Sequence, residues 1–529
     1  MNRLKVLDVT LRDGGCINDF NFGQTYMEKI LAAQETSGID IIELGYIDER
    51  KGSSFNRTQY INEQVIPQCI LKHKKSNVTY VAMMDYGKFN IDNLNPRSEN
   101  GIDGIRMAFH KKNYMDIISI GQKVIDKGYE FYIQPMITPR YSDAELLDLI
   151  GIVNRNLNGA SGFYIVDSFG EMRPNDMNRM LNLVDHNLTP SIALGFHSHN
   201  NLQLSYSNAM AMLQFPSTRD FILDCSIMGM GKGAGNLNTE LLLEHLNLFY
   251  GKHYQIGPLL EVIDKVVNQL HSEFYWGYAP EYYLSSTNHC TPSYASYFYN
   301  KHMLPIEQVS ELLAMLSEEK KISFDKNYAE ELYREYNERK DMDDNVTIEE
   351  LKHELLEKEV ILIAPGKSIA SHSGKINKII KKDGIISIGL NVINEMPFRY
   401  LLITRRDIYD MALSDGKDII APSNVSKGGH GKVKILNYKN WIEFDGRTHD
   451  SSLVIALNLM SACGVKKVFL AGFDGFSSNI NENYANPDLR RPVNTEQAER
   501  RNAYYRELIK RKRQSGMKIE FITPSKYEN

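Results

Sequence analysis

The sequence predicts an α/β protein built from an N-terminal TIM (β/α)8 barrel with a helical appendage, followed by a C-terminal Rossmann-like α/β domain. Three observations carry this. Eight short β-branched or apolar runs alternate with longer amphipathic stretches over roughly 250 residues, the usual span of such a barrel. Polar residues collect at or just beyond the C-terminal ends of those runs, where a barrel gathers its loops around one mouth. The pattern of buried strands then returns at residue 360, after an aromatic-rich helical interval.

The strand-like runs fall at 5–10 (KVLDVT), 40–46 (DIIELGY), 78–85 (VTYVAMMD), 104–109 (GIRMAF), 129–136 (YEFYIQPM), 162–168 (GFYIVDS), 192–198 (IALGFHS) and 221–228 (FILDCSIM). Helix-like stretches such as 24–37 and 142–156 separate them. A doubly wound sheet competes, but Arg12, Asp13, Glu43, Asp85, Gln134, Asp167, His197 and His199 all lie at run ends, which favours the barrel. Residues 251–355 change character: WGYAPEYYLSS and PSYASYFYN precede periodic segments such as IEQVSELLAMLSEEKK. This predicts a packed helical subdomain, with a lid over the barrel mouth as the other reading. From 360, VILIAPG, IISIGLN, RYLLITRR, KDIIAPS and KKVFLAGFDG read as strands of a separate domain. The expected organisation is a barrel at 1–250, a helical lid or linker at 251–355 and the second α/β domain at 356–529.

The composition narrows the function classes. Of 529 residues 42% are hydrophobic, which excludes a disordered chain, and 61 Lys and Arg against 66 Asp and Glu give a net charge of -5. That balance removes the electrostatic reason to expect nucleic acid or an anionic membrane as partner. The five cysteines are scattered without a CxxC pair, and no apolar run approaches a membrane span. A cytoplasmic protein acting on small molecules is expected, with a homo-oligomer compatible.

His197 and His199 in FHSHNN point to one side of an extended strand, because side chains alternate with period two. Asp13 ends the first run, and closing the barrel makes strand one a neighbour of strands seven and eight. A carboxylate and two imidazoles then converge, a donor set suited to a divalent cation with positions left open for substrate: Mg, Mn or Co, with Zn the weaker candidate. Packing or hydrogen bonding is the competing explanation for an HxH pair alone.

Four motifs extend the pattern: LDVTLRDGG (7–15), VDSFG (166–170), GFHSHNN (195–201) and GMGKGAGNLNTE (229–240). In order and strand position they resemble those of the pyruvate-carboxyltransferase-like metallolyases, the family of 4-hydroxy-2-oxovalerate aldolase, HMG-CoA lyase and 2-isopropylmalate synthase. The resemblance spans roughly residues 1–300. It implies that Asp13, His197 and His199 hold the metal and that Asn236 approaches it as a further ligand. It further implies a 2-oxo acid substrate, pyruvate being the expected enolate donor, and an aldehyde partner. Arg12 would then share the enolate charge, since a guanidinium donates several hydrogen bonds in a fixed plane. Glu43 would orient Arg12 or a bound water, with Gln134, Asp167 and Asp85 as further mouth candidates for substrate. One departure stands out: where such aldolases carry a histidine after Arg-Asp-Gly, this chain has Cys16. Cys16 could transfer the proton if its pKa were depressed; Tyr46, a bound water or Tyr278 are alternatives. An acyl-CoA Claisen condensing enzyme and a non-catalytic metal-binding scaffold are the competing functional readings.

In the C-terminal part, ILIAPGKSIA (361–370) places a glycine turn between a strand and a helix, but Ile361 stands where a Walker A loop needs its first glycine. With LLITRRD (401–407) and GVKKVFLAGFDGF (464–476), this turn is similar to Rossmann-like domains of the bacterial sialyltransferase and pterin-pyrophosphokinase-like group. The likeness implies a nucleotide or nucleotide-sugar site involving Gly366, Ser368, Asn391 and Asp474; a purely structural domain is the other reading. KGGHGK (427–432) reads as a surface loop that could also close over phosphates, and the basic segment 500–516 as a solvated helix face.

Overall fold

Eight parallel strands form and close the N-terminal barrel: β1 (Leu4–Asp8), β2 (Ile41–Ile47), β3 (Thr79–Asp85), β4 (Gly104–Phe109), β5 (Glu130–Pro135), β6 (Gly162–Asp167), β7 (Ala193–Ser198) and β8 (Phe221–Cys225). Closure is made by β1, which pairs with β8 on one side and with β2 on the other. Each strand lies within, or one residue beyond, the run that predicted it. A two-residue strand, Gln59–Tyr60, adds to the flank of β2. In this computed structural model, residues 4–528 are described apart from 73, 303, 340, 393–395, 415, 427–431, 487–488 and 490–492. All but the last residue of KGGHGK therefore lies outside the described residues.

The barrel interior is apolar at one level and charged at the next. Leu7, Ile41, Val81, Tyr132, Tyr164 and Ile222 pack together inside the ring of strands. Because side chains alternate, the position two residues further along a strand faces inward again. Those positions carry Glu43 after Ile41, Gln134 after Tyr132 and Asp224 after Ile222, all buried. Gly195 makes room in this packing: a Cβ there would come within 2.4 Å of the Tyr164 ring.

The chain divides into two compact units, Met1–Ala295 and Ser296–Asn529. The helical interval is thus shared between them, with helices such as Pro280–Thr287 in the first unit and Lys326–Glu338 in the second. Trp276 of the WGY segment is 3% exposed, and its indole N–H donates to the Met228 carbonyl at 2.9 Å, tying it to the loop after β8.

The second unit is an open, all-parallel sheet of seven strands: β9 (Glu359–Ile363), β10 (Ile385–Leu390), β11 (Tyr400–Leu402), β12 (Ile419–Pro422), β13 (Val433–Leu436), β14 (Lys467–Ala471) and β15 (Lys518–Phe521). Their order is β13-β12-β11-β10-β9-β14-β15. The chain builds outward from β9 to one side and then returns to add β14 and β15 on the other, so the order switches at β9 and leaves a crevice beyond the strand C-termini there. The sequence reading missed β13 and β15. Both are short edge strands, and β15 alternates exposed Lys518 and Glu520 with buried Ile519 and Phe521, a pattern too brief to stand out. Among the described residues no helix is long and apolar enough to cross a membrane.

Candidate metal centre

Asp13 lies in the turn after β1, at the start of the short helix Gly14–Ile17, while His197 and His199 occupy the end of β7 and the residue beyond it. One ligand atom from each of the three lies within 4.8 Å of the others, and all three side chains are buried. Burial pulls the Asp13 carboxyl upward, but Arg12 and the two histidines outweigh it and hold it well below the usual carboxylate range. Burial lowers His199 to about 4, so its imidazole is neutral and has a lone pair to offer a cation. His199 Nδ1 and Asn236 Oδ1 are both buried with no hydrogen-bond partner among the described residues.

The loop after β8 closes on this cluster. Asn236 Nδ2 donates to Asp13 Oδ2 at 2.7 Å and to the Met230 carbonyl at 3.1 Å, which turns the amide oxygen away from both. Gly231 permits that approach, since a Cβ there would lie 2.3 Å from Asn236 Nδ2 and 2.5 Å from Asp13 Oδ2. A carboxylate, two imidazoles and an unsatisfied amide oxygen fit a divalent cation.

A buried chain of charges fixes the cluster. Arg12 donates from Nε to Glu43 Oε2 and from Nη1 to Asp13 Oδ1, both at 2.7 Å. Arg106, fully buried, pairs with Glu43 Oε2 at 2.9 Å and with Asp224, and its guanidinium lies 4.8 Å from the centre of the Tyr164 ring. Asp224 in turn accepts from His197 Nδ1 at 2.9 Å. Neither Arg106 nor Asp224 was singled out from sequence. The available signal was a charged residue at inward parity inside the apolar strands GIRMAF and FILDC.

The remaining expected residues separate. Glu43 orients Arg12 and Arg106 with one oxygen, which makes it a positioning residue rather than a group on the substrate. Gln134 is buried with Nε2 lacking a partner, a donor open to substrate. The Asp167 expectation is corrected: its carboxylate accepts the backbone N–H groups of Glu171 and Met172 at 2.9 and 3.0 Å, so it shapes the loop after β6. Asp85 is paired with Lys88. Cys16 is also corrected. Its residue surface is exposed, yet the densely packed surroundings and the Asp13 charge push the thiol up to about 12, opposite to the depression a catalytic thiolate requires. Tyr46 is 7% exposed, stacks on Phe20, and is held protonated by burial and by Asp85. Tyr278 is 53% exposed on the segment beyond the barrel.

In the second unit Gly366, Asn391 and Asp474 line the crevice at the strand ends, but their polar groups are already used. Asp474 Oδ2 accepts the Ser368 N–H at 2.7 Å, and its other oxygen accepts the Ser368 hydroxyl. The Gly366 N–H donates to the Gly472 carbonyl at 3.0 Å, and the Asn391 amide bridges to Thr404. At the nucleotide or nucleotide-sugar site expected around Gly366, Ser368, Asn391 and Asp474, the Ser368 N–H is thus taken by a carboxylate and the Gly366 N–H by a carbonyl.

Closed barrel, buried Asp/His/His cluster and arginine at its edge together define the first unit as a barrel with a candidate divalent-metal centre at its mouth. The HMGL-like family profile matches residues 3–255, the barrel of the first unit. The 4-hydroxy-2-oxovalerate aldolase of Marinomonas sp. (strain MWYL1) is 28% identical over 253 residues, covering 47% of this chain and 72% of the relative. That of Carboxydothermus hydrogenoformans is 28% identical over 277 residues, covering 50% and 77%. A crystal structure of hydroxymethylglutaryl-CoA lyase from Pseudomonas aeruginosa covers 51% of this chain and 93% of its own at 14% identity, with a TM-score of 0.41.

Proposed function

We propose that the barrel is an aldolase that forms or cleaves the carbon–carbon bond of a 4-hydroxy-2-oxo acid, with pyruvate as the enolate partner and an aldehyde as the other. The observation that carries this is the convergence of Asp13, His197 and His199 beside a guanidinium whose Nη2 is buried and unpartnered. A divalent cation held by those three residues would supply Lewis-acid stabilisation of negative charge developing on the substrate.

The chain's own groups account for the rest. Arg12, locked by Glu43 and Asp13, presents Nη2 to the enolate oxygen, so its donor is oriented before charge develops. Gln134 Nε2 donates to the substrate carboxylate. In cleavage the bond between C3 and C4 breaks, its electron pair passes to the enolate, and the 4-hydroxyl proton leaves; condensation reverses this and returns a proton to the new alkoxide. The buried Tyr46 hydroxyl, held protonated by burial and by Asp85, donates a hydrogen bond to the 4-oxygen in this reading, and solvent carries the proton.

Proton NMR of pyruvate in heavy water tests it: with Mg, Mn or Co added the methyl signal should disappear, and with a chelator it should persist. Metal-independent persistence of the signal would sink the enolate step. Five scattered cysteines without a CxxC pair support a reducing compartment, hence the cytoplasm. For the second unit we read the strand-edge crevice as the place of a nucleotide or nucleotide sugar, supported by the switch of strand order at β9.

A further inference from the structure

The crevice of the second unit has a volume of about 320 Å³ and an uneven charge distribution. Six basic side chains line it, Lys301, Arg405, Arg406, Arg447, Arg500 and Arg501, against the carboxylates of Asp450 and Asp474. Asp474 is tied to Ser368, and Asp450 accepts at Oδ2 from the hydroxyls of Tyr333 and Tyr438.

The cations are concentrated at one end. Lys301, at the end of the helix Pro292–His302, is lowered to about 7 by burial and then by Arg447, Lys326 and Arg500, against the pull of Asp450, with Glu330 as its contacting carboxylate. His302 is pushed well below its ordinary value by burial and then by Lys301, Arg501 and His449, and its Nε2 is buried with no hydrogen-bond partner. Burial also lowers Arg501, which donates to the Asn300 carbonyl at 2.8 Å and lies 5.2 Å from the centre of the Phe476 ring. Among the described residues the carboxylate paired with Arg500 is Glu496 at 3.9 Å, one turn away on its own exposed helix face. Like charges held this close raise the free energy of the folded chain, and an anion with two or more charges relieves it. Guanidinium groups match phosphate oxygens in geometry as well as charge.

Beside this cluster the wall is aromatic. Phe476 and Tyr505 lie nearly parallel with centroids 6.3 Å apart, and Tyr505 meets Tyr527 at 5.2 Å. All three line the crevice, and Arg501 touches both surfaces through Phe476. Flat rings next to clustered arginines suit a ligand with a planar base at one end and phosphates at the other.

We propose that Arg447, Arg500 and Arg501, with Lys301 beside them, form the phosphate subsite of a nucleotide whose base lies on the Phe476 and Tyr505 wall. This rests on the nucleotide reading of the second unit and relocates the phosphates from the Gly366 turn to the cationic residues of the same crevice. It is independent of the aldolase reading of the barrel.

The test is calorimetric titration of the full chain with ADP, CDP, GDP, UDP and inorganic pyrophosphate. It is repeated for Arg447→Gln, Arg500→Gln and, as a control on the exposed face of the same helix, Lys510→Gln, with circular dichroism confirming that each variant is folded. The expected result is that a nucleoside diphosphate binds more tightly than pyrophosphate. Arg447→Gln and Arg500→Gln should each weaken it about tenfold, as loss of a charge-assisted contact requires, and Lys510→Gln should leave it unchanged. Nucleotide binding insensitive to both arginine variants overturns the subsite while leaving the nucleotide reading in place. Pyrophosphate binding as tightly as every nucleotide overturns the base wall, and no binding by any of them overturns the proposal as a whole.

Discussion

His197 donates from Nδ1 to Asp224 Oδ2 at 2.9 Å, which leaves Nε2 as the nitrogen available to a cation. A carboxylate behind a ligating imidazole fixes its tautomer and ring orientation, and losing such a partner typically costs about 10–100-fold in metal affinity. Asp224→Asn should therefore weaken Mn binding by that order in a calorimetric titration. Affinity equal to the parent's would show that the ring is held by other means.

Arg106 joins Glu43 to Asp224 inside the barrel, with no solvent exposure. Replacing it by Met leaves two buried carboxylates without their shared cation, and breaking a buried ion pair costs about 3–5 kcal/mol. Arg106→Met should lower the stability of the barrel by that order, measured by urea unfolding followed through the fluorescence of Trp276. A loss below about 1 kcal/mol would mean that water or a protonated carboxyl replaces the pairing.

Arg12 is the test of charge stabilisation. Arg12→Lys keeps the charge but cannot bond Glu43, Asp13 and substrate together, and removal of one preorganised donor costs about 10²–10³ in rate. At saturating metal the rate of pyruvate methyl exchange should fall by that factor. An unchanged rate would remove Arg12 from the chemistry.

Proton transfer separates Cys16 from Tyr46. With its thiol pushed up to about 12, Cys16 should be dispensable, and Cys16→Ala should keep aldol cleavage within about threefold of the parent, well inside the 10²–10⁴-fold contribution of a positioned acid or base. Tyr46→Phe removes the donor to the 4-oxygen and should slow cleavage by about 10² or more while leaving the fold intact by circular dichroism. The reverse ranking would assign the proton to the thiol.

Asp167 gives a signed pH dependence. Burial raises its folded pKa to about 7 from 3.8, so between those values the folded chain keeps a proton that the unfolded chain has released. Its contribution to stability is whole below about pH 4 and is lost as pH rises through 7. Asp167→Asn removes the titration. The stability of the variant relative to the parent should therefore improve on going from pH 4.5 to 7.5 in denaturant unfolding, and a constant difference would show that Asp167 titrates normally.

Much of this site is legible in the sequence because barrel geometry converts strand position into proximity. Asp13, His197 and His199 could be paired on paper, since strand ends share one mouth and period-two spacing puts both histidines on one side. The roles of Cys16 and Asp167 could not be read that way. Their protonation depends on how much packed protein and which charges surround them, and for Asp167 on two backbone N–H groups supplied by the turn that follows.

What the sequence determined by itself is the order of the elements, the apolar and polar alternation along each strand, and hence which residues face the barrel axis. Only the tertiary structure decided that Arg106 and Asp224, 118 positions apart, meet as one ion pair behind the metal ligands. It also decided that Asp474 takes the N–H and hydroxyl of Ser368 at the Gly366 turn while Arg447 and Arg500 line the same crevice. The physical reason is range: propensity and periodicity act over a few residues, whereas pairing of buried charges is settled by closure of the barrel and docking of helices, which bring distant side chains within a few ångströms and remove the water between them.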